Sequence, residues 1–255
     1  MDKNHNSYMP LCIGLFATLK CSNVHHYKKP HLPLVKATAI TQETLTHTVK
    51  TTHQYPLFIN IETADAIKMS FEQIPKIRYM DTEFFFKNDD HTILIFPQTA
   101  ENYVILDNEK FSLKQFHFHA PGKHTVNGLS ADMELHIVHE SQNGNIAVFG
   151  VFLQSGEENK ILTEIFEEFN DNSKNQNSIL LKNKINLRNL IPYKTRIFRY
   201  QESQAASAYP TERQWILCER SISLSPEQIE LFATYFDDYS WSIPMPDGDR
   251  QIFYY

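Results

Sequence analysis

The stretch that decides the fold reads Phe111-Ser-Leu-Lys-Gln-Phe-His-Phe-His119. Side chains along a β-strand alternate between the two faces of a sheet, so this stretch is predicted to be a strand with two chemically different faces. Phe116 and Phe118 are expected on one face. The other face is expected to hold Leu113, Gln115, His117 and His119. Two imidazole rings therefore stand on one face, two residues apart.

A second alternating stretch follows, Met133-Glu-Leu-His-Ile-Val-His139. It is predicted to place Glu134, His136 and Val138 on a common face. The dipeptide Asn127-Gly128 between the two stretches is typical of a tight turn that returns the chain antiparallel. Such a pairing would bring the third imidazole opposite the first two.

Three neutral imidazoles that converge from two strands suit a Zn²⁺ ion, with a fourth position left for water, as in catalytic zinc sites. The alternative is a pair of hydrogen-bonded or surface histidines, which is the commoner origin of an isolated His-x-His. Gln115 and Glu134 favour the metal site, because each lies two residues before a predicted ligand on the same face. Ligating histidines usually donate their second N–H to such a group, which is costly to bury alone. His124 and His139 lie off this face or in the connecting loop and are assigned structural hydrogen bonds.

The composition excludes several classes of function. The chain has 255 residues, 42% hydrophobic and 21% charged, so it can bury a sizeable core and is not a disordered chain. Its net charge is −6 and it has no run of basic residues, so no nucleic-acid partner is predicted. Only 7 glycines are present and no glycine-rich phosphate-binding motif occurs, which argues against a nucleotide enzyme. Cys12, Cys21 and Cys218 are too scattered for a disulfide framework or a cysteine metal site.

Residues 54–255 are predicted to form one mainly β (α+β) domain with a few peripheral helices. Apolar spacing predicts a helix over Lys160–Phe169, and Ser223 or Ser225 before Pro226 predicts the start of a second. Alternating or β-branched stretches predict strands at 57–61, 76–80, 92–96, 103–106, 111–119, 134–139 and 146–153.

Residues 1–53 are interpreted as a leader plus linker, because they are polar and show no sustained period. Within them, Met9–Leu19 is an apolar run of signal-peptide length, and no run in the chain is long enough to span a membrane. Lys20 and the weakly charged start are poor flanks for a cleavage site. A cleaved signal peptide over residues 1 to about 21 would place the domain in a periplasm or outside the cell. A lipid anchor at Cys21 and a partly packed N-terminus on a cytoplasmic protein remain open.

Three segments resemble the zinc-binding core of the α-class carbonic anhydrases. They are Gln115-Phe-His-Phe-His-Ala-Pro121, His124-Thr-Val-Asn-Gly128 and Met133-Glu-Leu-His-Ile-Val-His139. Looser similarity extends to Phe58-Ile-Asn-Ile61, Ala147–Leu153, Trp215-Ile-Leu217 and Ser225–Ile229. The resemblance implies a central, mostly antiparallel, twisted sheet of about ten strands, with zinc held by His117, His119 and His136. It also implies reversible hydration of CO₂ to bicarbonate and a proton.

The same resemblance implies further roles. Val138, Val148 and Trp215 would form the apolar wall against which CO₂ is held. His91, in Asn88-Asp-Asp-His-Thr-Ile93, stands where the family has Asn-Gly-His-Thr-Ile and is assigned as the proton shuttle, since imidazole titrates near neutral pH. A histidine in an Asp-rich turn is otherwise more often solvated and without function.

One departure from the family pattern follows the first two histidines. The family continues with Ser-Glu-His, whereas this chain has Gly122-Lys-His124. Lys123 therefore replaces the glutamate that orients the family's gatekeeper threonine, and the polarity of that hydrogen bond is reversed.

A second departure precedes Trp215, where the family has Ser-Leu-Thr-Thr-Pro-Pro-Cys. Counting back from Trp215 without gaps places Ala205 and Ala206 at the two threonines. A short deletion would instead let Ser207 supply the missing hydroxyl, and one sequence leaves both registers open.

A lost preorganised hydrogen bond to a reacting centre typically costs about 10²–10³ in rate, so the expected function is a slow carbonic anhydrase. Two alternatives remain. Lys123 and the two alanines favour a zinc-stabilised binding module without catalysis, whereas the three retained histidines favour an enzyme. Gln204 or Ala205 could also widen the pocket enough for weak hydrolysis of activated esters. The sequence carries no prediction of protein partners or oligomeric state.

Overall fold

The computed structural model of the chain describes residues 59–88, 93–172, 178–202, 213–236 and 251–255. Within these ranges the chain forms fifteen strands, two α-helices and three short 3₁₀ turns. The mainly β fold predicted from the sequence is therefore confirmed. The predicted leader and linker, and the domain boundary at residue 54, lie outside the described residues.

The predicted helices and strands occur in the predicted order, and the structure adds strands that were not predicted. Helix α1 (Lys160–Asn172) begins at the predicted residue, and α2 (Pro226–Tyr235) begins directly after Ser225. Neither of these helices is long and apolar enough to cross a membrane. The strands are β1 (Ile59–Ile61), β2 (Ile67–Lys68), β3 (Lys76–Arg78), β4 (Phe84–Asn88), β5 (Ile93–Pro97), β6 (Tyr103–Leu106), β7 (Glu109–His119), β8 (His124–Val126), β9 (Leu129–Ser130), β10 (Met133–Ser141), β11 (Ile146–Ser155), β12 (Ile179–Leu180), β13 (Ile197–Glu202), β14 (Arg213–Leu224) and β15 (Phe253–Tyr254).

Twelve of the described strands form one large sheet. Ten of them follow the order β12-β4-β5-β7-β10-β11-β14-β13-β15-β2, while β6 pairs with β7 and β3 pairs with β6. Among the described pairs of this sheet, only β11–β14 and β15–β2 are parallel. β1, β8 and β9 form a separate three-stranded sheet. The mostly antiparallel sheet expected from the sequence is thus present, with β7 and β10 side by side near its middle.

The two faces of the large sheet carry separate apolar clusters. The larger cluster packs both helices against the sheet, where the Phe118 ring meets Phe166 and Phe232 with ring centroids 5.2 and 6.0 Å apart. The smaller cluster lies on the other face and includes Val148 and Trp215. The two clusters leave little of the central strands exposed.

Strand β14 was not predicted, and its burial explains why. Ile216 and Cys218 belong to the larger cluster, whereas Trp215 and Leu217 belong to the smaller one. Because both faces of the strand are buried at Trp215–Cys218, this part of its sequence is a short continuous apolar run without the alternation that marks a half-exposed strand.

The expectation that Leu113 shares a face with the histidines of β7 is wrong. Leu113 is buried in the larger cluster, as is Phe116. In the pairing of β10 with β7, Val138 lies opposite Gln115 and His139 lies opposite Leu113. Lys114 is therefore an extra residue in β7. Such a β-bulge changes which face each residue points to. The predicted alternation therefore holds only from Gln115 onward.

Helix α2 begins with a capping box. The Ser225 hydroxyl accepts a hydrogen bond from the backbone N–H of Gln228, and the Gln228 side chain accepts one from the backbone N–H of Ser225. The Gln228 amide also accepts from the backbone N–H of Asn159 and donates to its carbonyl, at 3.0 and 2.8 Å. The same side chain therefore caps α2 and holds it to the start of α1.

Ser225→Ala is expected to lower the free energy of unfolding by about 1 kcal/mol, because an orphan N–H at the helix start loses its acceptor. Ser223→Ala is the matched control, since Ser223 is exposed near the end of β14. Its effect is expected to stay within about 0.5 kcal/mol. Chemical denaturation of the two variants compares them, and an equal loss in both would contradict the assignment of Ser225 as the cap.

Candidate metal centre

Strands β7 and β10 bring three histidines together. Their antiparallel register pairs His136 with His117, and Glu134 with His119. The candidate ligand nitrogens of the three histidines all lie within 4.8 Å of one another. The Nε2 atoms of His117 and His119 are 3.1 Å apart. The convergence expected from the spacing in the sequence is therefore present.

The Asn127-Gly128 turn reverses the chain, but between different strands from those expected. Asn127 and Gly128 have φ values of 48° and 76°, and they connect β8 to β9 within the small sheet. Only residues that tolerate positive φ suit such a two-residue turn. The return from β7 to β10 thus contains a small hairpin, and β7 and β10 pair antiparallel on either side of it.

Gln115 orients the first histidine. Its Oε1 atom lies 2.9 Å from His117 Nδ1. Because an amide oxygen only accepts, His117 Nδ1 carries the proton and donates it. The Nε2 atom of His117 is left with a lone pair, and this atom faces His119.

Glu134 orients the third histidine in the same way. Its Oε1 atom accepts a hydrogen bond of 2.8 Å from His136 Nε2. The remaining nitrogen of His136 is therefore the one available as a ligand. Burial lowers the pKa of His136 to about 4, although the Glu134 carboxylate opposes the shift. His136 is thus neutral at physiological pH, which is the form that binds metals.

The Glu134 carboxylate is fully buried and accepts four hydrogen bonds. Oε1 also accepts from His124 Nδ1 at 2.6 Å, and Oε2 accepts from the backbone N–H groups of Lys123 and His124 at 2.7 and 2.9 Å. Burial by itself would raise the pKa of Glu134, but His124 and His136 outweigh it by attraction and hydrogen bonding and hold that pKa well below its usual range. Glu134 is therefore an anion at the centre of a saturated network.

His124 extends this network to a tyrosine that the sequence did not indicate. His124 begins β8 and donates from Nδ1 to Glu134, so its Nε2 accepts from the Tyr200 hydroxyl at 2.8 Å. Trp215 packs edge-on against both His124 and His136, with ring centroids 4.8 and 5.0 Å apart. The structural hydrogen bonding predicted for His124 is observed. Tyr200 lies 76 residues away in the chain, in a segment without a recognisable motif.

The donor set fits a zinc ion. With Gln115 and Glu134 as acceptors, His117 and His136 each keep one unprotonated nitrogen at the cluster of three rings. Lone pairs that converge in this way are the ligands that a zinc ion takes from histidine. Tetrahedral Zn²⁺ with bonds of 2.0–2.1 Å separates its nitrogen ligands by about 3.3 Å, close to the 3.1 Å between the Nε2 atoms of His117 and His119.

The three apolar residues assigned to the pocket form a row beside the histidines. Cross-strand register pairs Val138 with Val148, and Val148 with Trp215. All three belong to the smaller apolar cluster or pack against it. The structure thus brings them together on the face that carries the three histidines.

His139 lies on the opposite face of β10, as predicted. It donates from Nδ1 to the Ala147 carbonyl at 3.2 Å and accepts from the Tyr79 hydroxyl at 2.7 Å. Burial lowers its pKa to about 4. Its hydrogen bonds are within the core and away from the metal ligands.

Several predicted functional residues lie outside the described residues. They are His91, Ala205, Ala206 and Ser207. Lys123 is described, and it is buried with 1% of its surface exposed. A buried lysine was not expected from the sequence, in which Lys123 appears only as a replacement in a motif.

A family model described as eukaryotic-type carbonic anhydrase matches residues 41–252. A carbonic anhydrase from Nostoc sp. (strain PCC 7120) is 31% identical over 199 residues, which are 78% of this chain and 74% of that protein. A carbonic anhydrase from Klebsiella pneumoniae is 28% identical over 156 residues, which are 61% of this chain and 63% of that protein.

Solved structures show the same likeness. A hyperthermostable carbonic anhydrase from a hydrothermal vent chimney is 32% identical, with 78% of this chain and 87% of that chain covered and a TM-score of 0.66. The α-carbonic anhydrase of Thermovibrio ammonificans, in complex with the inhibitor sulfanilamide, is 31% identical, with 76% and 84% covered and a TM-score of 0.65. Dioscorin complexed with ascorbate has a TM-score of 0.68 at 22% identity, with 77% and 84% covered, which shows the fold alone.

The purified chain is expected to hold one zinc ion, and His136→Ala is expected to weaken zinc binding by more than the roughly 10–100-fold typical of a supporting residue. His139→Asn is the matched control, because it changes a buried histidine of the same strand on the other face. This control is expected to lose stability but to keep its zinc. Chelator competition with elemental analysis measures both, and equal zinc loss in the two variants would contradict the ligand assignment.

Proposed function

The chain belongs to the family of eukaryotic-type (α-class) carbonic anhydrases, which are zinc lyases, and from this membership we propose that it hydrates CO₂ reversibly to bicarbonate and a proton, at a reduced rate. The observation that carries the proposal is the convergence of His117, His119 and His136 with their supporting hydrogen bonds intact. A binding module that needed no zinc would be under no such constraint.

Zinc held by the three histidines would supply the activation of water, because it lowers the pKa of a bound water to about 7. The chain's own residues supply orientation. Gln115 and Glu134 hold two of the rings through their second nitrogens, so the rings need not reorganise when the ion binds. The saturated network around Glu134 keeps that support in one geometry.

Val138, Val148 and Trp215 are proposed to form the surface that receives CO₂. They lie in one row across β10, β11 and β14, on the face that carries the histidines. An apolar wall suits a neutral, linear substrate and excludes water that would compete for the same space. Ring contacts between Trp215 and His136 place this wall next to a metal ligand.

Proton export is proposed to use His91, on the resemblance of residues 88–93 to the corresponding family segment. An imidazole with a pKa near neutrality can accept a proton from the centre and release it to buffer. This assignment rests on the sequence, since His91 lies outside the described residues.

The reduced rate is proposed from Lys123. Its side chain is buried where the family carries a glutamate that accepts a hydrogen bond from the gatekeeper threonine. An ammonium group only donates, so it cannot replace that acceptor. Its backbone N–H still donates to Glu134 at 2.7 Å. The substitution therefore alters the side of the site that faces substrate and leaves the ligand support in place.

Lys123 also favours a second candidate, a zinc-stabilised binding module without hydration activity, and weak ester hydrolysis is a third. The likeness to dioscorin, whose solved structure contains ascorbate, shows that the fold accommodates a ligand other than CO₂ in another protein. The complete histidine triad makes hydration the first choice.

Zinc-loaded protein is expected to hydrate CO₂ measurably above buffer, and His117→Ala is expected to abolish that rate because one ligand is lost. Stopped-flow hydration with zinc quantified in the same sample measures both. Stoichiometric zinc with no rate above buffer would refute the enzyme and support the binding module.

Lys123→Glu is expected to raise kcat/KM by about tenfold or more if Ser207 supplies the gatekeeper hydroxyl, because the acceptor is restored. Lys123→Gln is the neutral control and is expected to give a smaller gain. The double variant Lys123→Glu/Ser207→Ala is expected to lose the gain. An unchanged rate in Lys123→Glu, with folding and zinc content retained, would show that Lys123 is not the cause of slow turnover.

A periplasmic or secreted location is proposed from the apolar run Met9–Leu19, whose length suits a signal peptide. Mass spectrometry of the mature N-terminus in the producing cell tests it. A cleaved N-terminus near Cys21 supports export, and an intact Met1 would refute cleavage.

A further inference from the structure

We propose that Gly150 is a positioning residue for the metal centre: the absence of a side chain at this position admits the Glu134 carboxylate to the place from which it holds His136. The inference rests on the proposed zinc site, and it concerns a residue that has no polar side chain and no contact with substrate.

Gly150 lies beside both a metal ligand and the core. In β11 it pairs with His136 on one side and with Leu217 of β14 on the other. A methyl group added to Gly150 would lie 3.0 Å from Glu134 Oε1. It would also collide with Leu217 Cδ2. Two neighbours, one polar and one apolar, therefore fill the space that a side chain would need.

The polar neighbour, Glu134 Oε1, is the atom that holds the metal ligand His136. Glu134 Oε1 accepts the hydrogen bonds from His136 Nε2 and His124 Nδ1, at 2.8 and 2.6 Å. Its partner Oε2 is held by the backbone N–H groups of Lys123 and His124. A carboxylate fixed at both oxygens cannot turn away from a new methyl group without lengthening at least one of these bonds. Any such displacement changes the orientation of the His136 ring.

The requirement for glycine at this position is one of space. Among the described glycines, positive φ occurs at Gly128 and Gly144, so the backbone of Gly150 is one that other residues also adopt. Gly122 lies near the other oxygen, but a methyl group there would be 3.5 Å from Glu134 Oε2, an ordinary contact distance. The tight approach to the carboxylate is therefore on the side of Gly150, at the oxygen that holds the ligand.

The experiment uses protein that carries Leu217→Val, so that a methyl group at Gly150 no longer collides with Leu217 Cδ2. The remaining close contact of that methyl group is then with Glu134 Oε1. Zinc affinity is measured by chelator competition on folded protein, with thermal unfolding of each variant recorded in parallel. In this background Gly150→Ala is expected to weaken zinc binding by about tenfold or more, the size typical of a lost supporting contact. Gly156→Ala is the matched control, because its methyl group would meet Ser223 Cβ at 3.2 Å near the end of β14. It is expected to leave zinc affinity unchanged.

A double-mutant cycle with Glu134→Ala identifies the route of the effect. Once the carboxylate is absent, adding Gly150→Ala is expected to change zinc affinity by less than about twofold. An equal loss of affinity with and without Glu134 would overturn the proposal, since the effect would then come from the core. Full zinc affinity in Gly150→Ala/Leu217→Val would overturn it as well.

The outcomes also distinguish this proposal from the proposed function. If the unsubstituted chain binds no zinc, the metal centre itself is refuted and Gly150 has no ligand to position. If the chain binds zinc and the cycle shows no coupling, the metal centre stands and only the role of Gly150 is refuted. Neither reading depends on the rate of CO₂ hydration.

Discussion

Glu134 is a carboxylate with no exposure to solvent, and leaving such a charge unpaired in a protein interior costs several kcal/mol. Four hydrogen bonds from β8, the residue before it and β10 offset that cost. Because these donors come from both sheets, the carboxylate joins the small sheet to the large one at the metal centre. The rest of the site depends on this arrangement: His136 faces the other two histidines only while Oε1 stays in place, and His124 and Tyr200 complete the same network.

The two faces of the large sheet have different roles: one packs the main apolar core, and the other carries the candidate metal centre. One face packs the helices and ten buried phenylalanines into the larger cluster. The other face carries a smaller apolar cluster and the three histidines, of which His136 is buried while His117 and His119 are partly exposed. An ion held there would be supported from the protein side and reachable from the solvent side. Such partial access is what a catalytic metal site needs, whereas a structural one is closed.

The segment Gly122–His124 departs from the family pattern, and it shows how turnover could change while metal binding is kept. Lys123 supports Glu134 through its backbone N–H, and a backbone donor is the same whatever the side chain. A change of side chain at this position can therefore alter the environment of the substrate while the ligand geometry is kept. The three retained histidines are therefore evidence for the metal centre. The rate of turnover depends in addition on residues near the substrate, such as Lys123.

Local periodicity accounts for what the sequence by itself determined. The two-residue period of a strand is a property of the backbone, so the spacing of Gln115, His117 and His119, and of Glu134 and His136, predicted both the ligand face and its supporting groups. The capped start of α2 and the mainly β fold followed from equally local signals. The tertiary structure decided the rest, because it depended on partners distant in the chain. The bulge at Lys114 reverses the face of Leu113, β14 is buried on both sides, Tyr200 reaches His124 across 76 residues, and the space at Gly150 is defined by Leu217 and Glu134. None of these contacts has a period or a motif, since each is created only when strands from separate parts of the sequence are placed side by side.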